Sequence, residues 1–256
     1  MVRNVCLITL VGGVLAFAAE APYTGTWKMN IAKSNFGEMT VTYEQMAGGE
    51  MKATMDGQSY TFKTDGKDNM TPWGITMAWK PVDASTWEVT EKNGSKVTAI
   101  STAKLSADGK SLKVDTKRMK ADGGSSEDTM TFERVSGGPG LAGKWKAKNL
   151  NSSSPESLKL TPKGSDGLTI ALGNEGSVCD ARLDGKDYPA TGPMWPAGWT
   201  CVVTKSGENG VALTWKKDGK DMYKSVLTAS ADGKTLTETG SAVGAKEKFT
   251  AVYDKQ

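Results

Sequence analysis

Apolar and polar residues alternate along most of this chain. Met39, Val41 and Tyr43 are separated by Thr40 and Thr42, Met51, Ala53 and Met55 by Lys52 and Thr54, and Tyr60 and Phe62 by Thr61. Trp73, Ile75, Met77 and Trp79 share one parity. So do Leu158 with Leu160, Leu168 with Ile170 and Leu172, and Val211 with Leu213 and Trp215. A period of two sends successive side chains to opposite faces, so these segments predict antiparallel strands with one face buried. Between them lie Asp56-Gly57, Asp65-Gly66, Asn93-Gly94, Asp108-Gly109, Asp218-Gly219 and Asp232-Gly233. Such pairs accept the positive φ that tight hairpins need. No long amphipathic helix is expected, only short turns near Glu20–Tyr23 and Ser152–Ser157.

The pattern also repeats. Gly25-Thr26-Trp27-Lys28, Asp65-Gly66-Lys67-Asp68, Ala107 to Leu112 and Thr131 to Arg134 recur in the same order about 120 residues later. Their counterparts are Gly143-Lys144-Trp145-Lys146, Asp184-Gly185-Lys186-Asp187, Ala231 to Leu236 and Val252 to Lys255. The expected organisation is therefore one copy over residues 22–135, a Gly/Pro-rich linker over 136–141, and a second copy over 142–256. Eight or nine strands in each copy predict an all-β chain of two tandem antiparallel up-and-down barrels, with two sandwiches as the alternative.

Gly25-x-Trp27 and Gly143-x-Trp145 resemble the opening signature of lipocalin-like (calycin) barrels. The resemblance implies that a basic residue on the last strand packs on the Trp face, and Arg134 and Lys255 stand at the matching positions. The chain is also similar to secreted bacterial proteins with a Gly-x-Trp start, Asp-Gly-Lys-Asp-Tyr-Pro in the middle and Val-Tyr-Asp-Lys-Gln at the end. Asp184 to Pro189 and Val252 to Gln256 fit that pattern, while the first copy departs from it after Asp68. Some relatives, the nitrobindins, hold haem through His. This chain has no His, so that activity is not carried over.

Arg3 followed by the apolar run Val5–Phe17, with Ala16-Phe17-Ala18 as a cleavage pattern, reads as a secretory signal over residues 1–18. The mature chain would begin at Ala19 or Glu20, in a periplasmic or extracellular compartment, with no membrane span left. Cys6 would leave with the signal. Cys179 and Cys201 then remain as an even pair, expected to form a disulfide.

Composition narrows the functions. A net charge of +3, one less without Arg3, leaves no electrostatic footprint for nucleic acid. Without His, no Ser-His-Asp or Cys-His site can exist and the commonest metal ligand is missing. Asp-Gly-Lys-Asp reads as a turn, because the Lys charge opposes a cation and calcium needs several converging oxygens. No metal, cofactor or catalytic residue is assigned.

The candidate site is an apolar lining in the first copy: Met39, Tyr43, Met51, Met55, Tyr60, Phe62, Met77 and Trp79. Three uses of it stand side by side: core filling, an adaptable pocket for a small apolar ligand, and a soft thioether site for Cu(I). Trp195 and Trp199, in the Pro/Gly-rich stretch 192–199, are expected either at a rim contacting a partner or in a loop that plugs a barrel end. Binding of a small apolar ligand is the preferred function. The alternatives are an interaction module with solid barrels and a small barrel enzyme. Interior volume separates the first two readings.

Overall fold

The computed structural model describes residues 21–256 apart from 121, 154–155, 174–175 and 246. The predicted signal segment and Cys6 lie outside the described residues. The chain is all-β and forms two antiparallel barrel-shaped sheets. Each has ten strands rather than eight or nine. Short segments such as Asp68–Met70 carry too few alternations to register as strands in the sequence.

The first sheet, here the N-terminal barrel, contains β2 (Thr40–Gln45), β3 (Met51–Met55), β4 (Gln58–Phe62), β5 (Asp68–Met70), β6 (Thr76–Asp83), β7 (Thr86–Asn93), β8 (Lys96–Leu105), β9 (Ser111–Met119), β10 (Ser125–Ser136) and β11 (Gly143–Ser152). The second, the C-terminal barrel, contains β1 (Gly25–Met29), β12 (Ser157–Lys163), β13 (Gly167–Leu172), β14 (Ser177–Arg182), β15 (Asp184–Thr191), β16 (Trp199–Lys205), β17 (Gly210–Lys217), β18 (Lys220–Ala229), β19 (Thr235–Ala242) and β20 (Phe249–Lys255). The C-terminal barrel is closed. The N-terminal one is nearly closed, with β4 and β5 at the two ends of its sheet order. The expectation that closure removes every strand edge therefore holds for one barrel only.

The two copies exchange their first strands. β1 carries Trp27 of the first copy and lies between β12 and β20 of the second. β11 carries Trp145 of the second copy and lies between β10 and β2 of the first. The folded barrels are thus offset by one strand from the sequence repeats. Each basic residue stacks on the Trp that the other copy supplies. The Arg134 guanidinium lies 4.1 Å from the Trp145 ring and the Lys255 ammonium 5.0 Å from that of Trp27.

The Gly/Pro-rich stretch 136–141 is not a spacer between barrels but the loop of the β10–β11 hairpin. Arg134 holds it by donating to the carbonyls of Gly138, Gly140 and Ala142, and also to that of Gly109, at 2.6–2.7 Å. Gly137 and Gly143 have φ of 119° and 145°, and a Cβ on Gly137 would fall 2.3 Å from the Gly143 Cα. Only glycine permits that approach. So short a hairpin delivers Trp145 to the neighbouring last strand of its own barrel. The chain then crosses between the barrels twice, between Met29 and Thr40 and between Ser152 and Ser157.

The C-terminal barrel has a densely populated apolar core. Trp27, Leu158, Leu160, Ile170, Val203, Val211, Leu227 and Leu236 are fully buried within it. Cys179 on β14 and Cys201 on β16 form the expected disulfide inside this core, with Cα atoms 6.5 Å apart. Asp65 and Asp184 each accept the amide of the Lys two residues on, at 3.1 Å; the first motif is the turn after β4, the second a register irregularity at the start of β15. Among the described residues no helix is long and apolar enough to cross a membrane.

Candidate functional site

The register of the N-terminal barrel stacks its inward side chains in layers. At the bottom, Leu105, Leu112 and Phe132 lie side by side on β8, β9 and β10. Above them come Trp87, Ala103, Val114, Met130 and Leu150 on β7 to β11. The next layer is Val89, Ser101, Thr116, Asp128 and Ser152, and the uppermost is Glu91, Ala99, Arg118 and Ser126. The interior therefore passes from apolar to polar along the barrel axis, because most of these strands trade Leu, Val or Met for hydroxyl and charged residues toward one end. Trp145, fully buried with Leu141 beside it, closes the apolar end.

These walls line a cavity of about 570 Å³. Of the eight expected lining residues, Met39, Tyr43, Met55, Tyr60, Met77 and Trp79 face it. Met51 and Phe62 do not: both are buried in the surrounding core, with Phe62 stacked on Trp79 at 4.6 Å. Tyr43 packs edge-on to Trp79 at 5.8 Å. The Tyr60 hydroxyl accepts from Trp79 Nε1 at 3.3 Å and donates to the Met77 sulfur at 3.2 Å. Burial pushes the Tyr60 phenol up to about 12, against the opposing effect of the Trp79 N–H and with help from the Glu91 charge. Burial likewise raises Tyr43, with Tyr60 adding to it. Both phenols therefore stay protonated at neutral pH, and that of Tyr60 hydrogen-bonds within the wall.

The polar end was missed by the sequence reading. Thr98 donates to Glu91 at 2.8 Å, Ser101 and Thr116 share a hydrogen bond of 2.8 Å, and Arg118 Nε donates to Asp128 at 3.2 Å. Continuing the inward parity of Leu112 and Val114 to Thr116 and Arg118, and of Phe132 and Met130 to Asp128 and Ser126, would have found most of it.

The C-terminal barrel stands over this polar mouth. Met29, Phe36, Glu156, Gly173, Pro193 and Met194 from its near end complete the cavity wall. Two cross-barrel bonds fix the junction through Trp73, which donates to the Tyr223 hydroxyl at 3.1 Å and accepts Trp199 Nε1 on its carbonyl at 2.8 Å. Asn93 adds a third by donating to the Pro193 carbonyl at 3.1 Å. Trp199 is buried, and Trp195 stacks on Trp215 at 4.2 Å. Trp199 thus starts β16 inside the C-terminal core and Trp195 packs against that core, both beside the junction with the other barrel. No group of three or more His, Cys, Asp or Glu arranged to hold a metal occurs among the described residues.

No protein-family model and no curated protein matches this chain in sequence.

Proposed function

We propose that the protein binds a small, mostly apolar molecule in its N-terminal barrel, without catalysis, in a periplasmic or extracellular compartment. The observation that carries this reading is the contrast between two barrels of one repeat, one with a densely populated apolar core and the other holding a cavity of about 570 Å³. That volume lies in the range of small-molecule sites, roughly 300–1,000 Å³. Thioether and aromatic walls suit an apolar body of variable shape. The hydroxyl and charged layers at one end suit a ligand with a single polar end directed at the junction. The disulfide supports an oxidising compartment. The C-terminal barrel supplies a cover for the mouth rather than a second site.

The test is fluorescence titration with N-phenyl-1-naphthylamine, a neutral apolar probe, together with native mass spectrometry of protein purified from its own secretory compartment. Saturable one-to-one binding is expected. Val114 is half-buried although it points inward, so it borders the cavity, and Val114→Phe should weaken binding at least about tenfold by filling it, near 1.4 kcal/mol. Equal affinity in that variant, or no binding by the unmodified protein, would overturn the reading.

A further inference from the structure

Both ends of the N-terminal barrel are flanked by other parts of the chain. Trp145, Leu141 and the Arg134-bound loop close one end, and the C-terminal barrel, tied on by two chain crossings, covers the other. The wall is hydrogen-bonded from strand to strand in the order β4-β3-β2-β11-β10-β9-β8-β7-β6-β5. The sole junction in that wall without ladder pairing, among the described residues, is the seam between β4 and β5. A surface groove of about 450 Å³ lies on this seam, between Ser59 and Thr61 on one side and Met70 and Pro72 on the other. Met70 is 66% exposed there, an apolar side chain at the outer lip.

Tyr60 lines both the groove and the central cavity. One residue thus borders both the groove and the interior, at the one place among the described residues where no backbone ladder must break for the wall to part. Its two hydrogen bonds, to an indole N–H at 3.3 Å and to a thioether at 3.2 Å, are long or weak, so the ring is held chiefly by packing against Phe62 and Trp73, with centroids 5.6 and 6.5 Å away.

We propose that the β4–β5 seam is the route by which ligand enters and leaves the cavity, with the Tyr60 side chain as its gate. This rests on the ligand-binding reading above. Opening here costs a rotamer change and a modest parting of two strand edges. Widening the mouth, by contrast, would strain the Trp73 and Asn93 bonds that hold one barrel on the other.

The test uses the full chain in a Cys6→Ser background, in which Cys179 and Cys201 are paired. Thr61→Cys and Met70→Cys are joined across the seam by a bis-maleimide, and the same variant capped with N-ethylmaleimide serves as control. Stopped-flow mixing with N-phenyl-1-naphthylamine measures both rate constants. The bridge should slow association and dissociation together, at least tenfold, while the equilibrium constant stays within about twofold, since a gate lowers both rates equally. Tyr60→Phe, which keeps the ring and removes both hydroxyl bonds, should raise both rates severalfold without a bridge. Rates unaffected by the bridge, with binding intact, would overturn the portal and leave the cavity reading standing. Absence of binding in the unmodified protein would overturn both.

Discussion

Replacing Trp27 by Ala distinguishes the exchanged topology from simple tandem barrels. Trp27 lies in the first sequence copy, so unexchanged barrels would lose stability in the N-terminal one. In the structure Trp27 is fully buried in the core of the C-terminal barrel, under Lys255, with its Nε1 donating to the Tyr23 carbonyl at 2.9 Å. A buried Trp removes about 150–250 Å² from water, worth roughly 4–6 kcal/mol at ~25 cal/mol per Å², of which Ala retains a part. Incomplete collapse of the vacated space adds to the loss, and buried Trp→Ala changes cost about 3–5 kcal/mol. About 4 kcal/mol is expected, which accelerates exchange of the slowest amides of the affected barrel by about 10³. Hydrogen-exchange mass spectrometry resolves where this happens. Peptides from β12 to β20 should lose protection, while those from β7 to β9 keep it. Trp145→Ala should do the reverse, although Trp145 belongs to the second copy. Loss of protection over β7 to β9 in Trp27→Ala would refute the exchange.

Other consequences are sharper for being unequal between the copies. Arg134→Ala removes four hydrogen bonds to carbonyls and should cost about 3 kcal/mol in urea denaturation. Lys255→Ala, which removes an exposed cation from the Trp27 face, should cost about 1 kcal/mol or less. Glu238 shares the inward row of β19 with the buried Leu236, and its carboxylate accepts from the Tyr253 hydroxyl at 3.2 Å. Burial raises its pKa, with the hydroxyls of Ser225 and Tyr253 working against the shift. The folded protein therefore binds that proton more tightly than the unfolded chain does. This contribution to stability is full below the unfolded-state carboxyl value and fades as pH rises through the folded-state one. Glu238→Gln should flatten this slope in thermal melts across pH and raise stability above that window. Replacing Cys179 and Cys201 by Ala should lower stability by about 3 kcal/mol, measured by denaturation, because the bridge closes a chain separation of 22 residues.

Strand identity, the hairpin turns, the duplication and the cysteine pair were all legible in the sequence, because each is set by chemistry within a few residues. Alternation sets a strand's faces. Asp-Gly pairs set its turns. Gly-x-Trp marks the start of each copy because Gly25 and Gly143 take φ of 132° and 145°, with a Trp buried two residues on. Six of the eight proposed lining residues could be found for the same reason, since inward parity is local. Met51 and Phe62 share that parity, and which inward side chains touch the void rather than each other depends on packing from several strands.

Only the tertiary structure decided which barrel each Gly-x-Trp strand closes. The two copies are alike, so either strand fits either slot. The choice falls to connection length: the tight, Arg134-bound hairpin brings β11 beside β10, which leaves β1 to close the other barrel. The sequence was equally silent on which barrel is hollow. That depends on the summed volume of inward side chains: on one side leucines, tryptophans and a disulfide meet in the centre, on the other Ala103, Ser101 and Thr116 leave room. The mouth of that cavity is completed by residues that lie far away in the chain, and no periodicity encodes them.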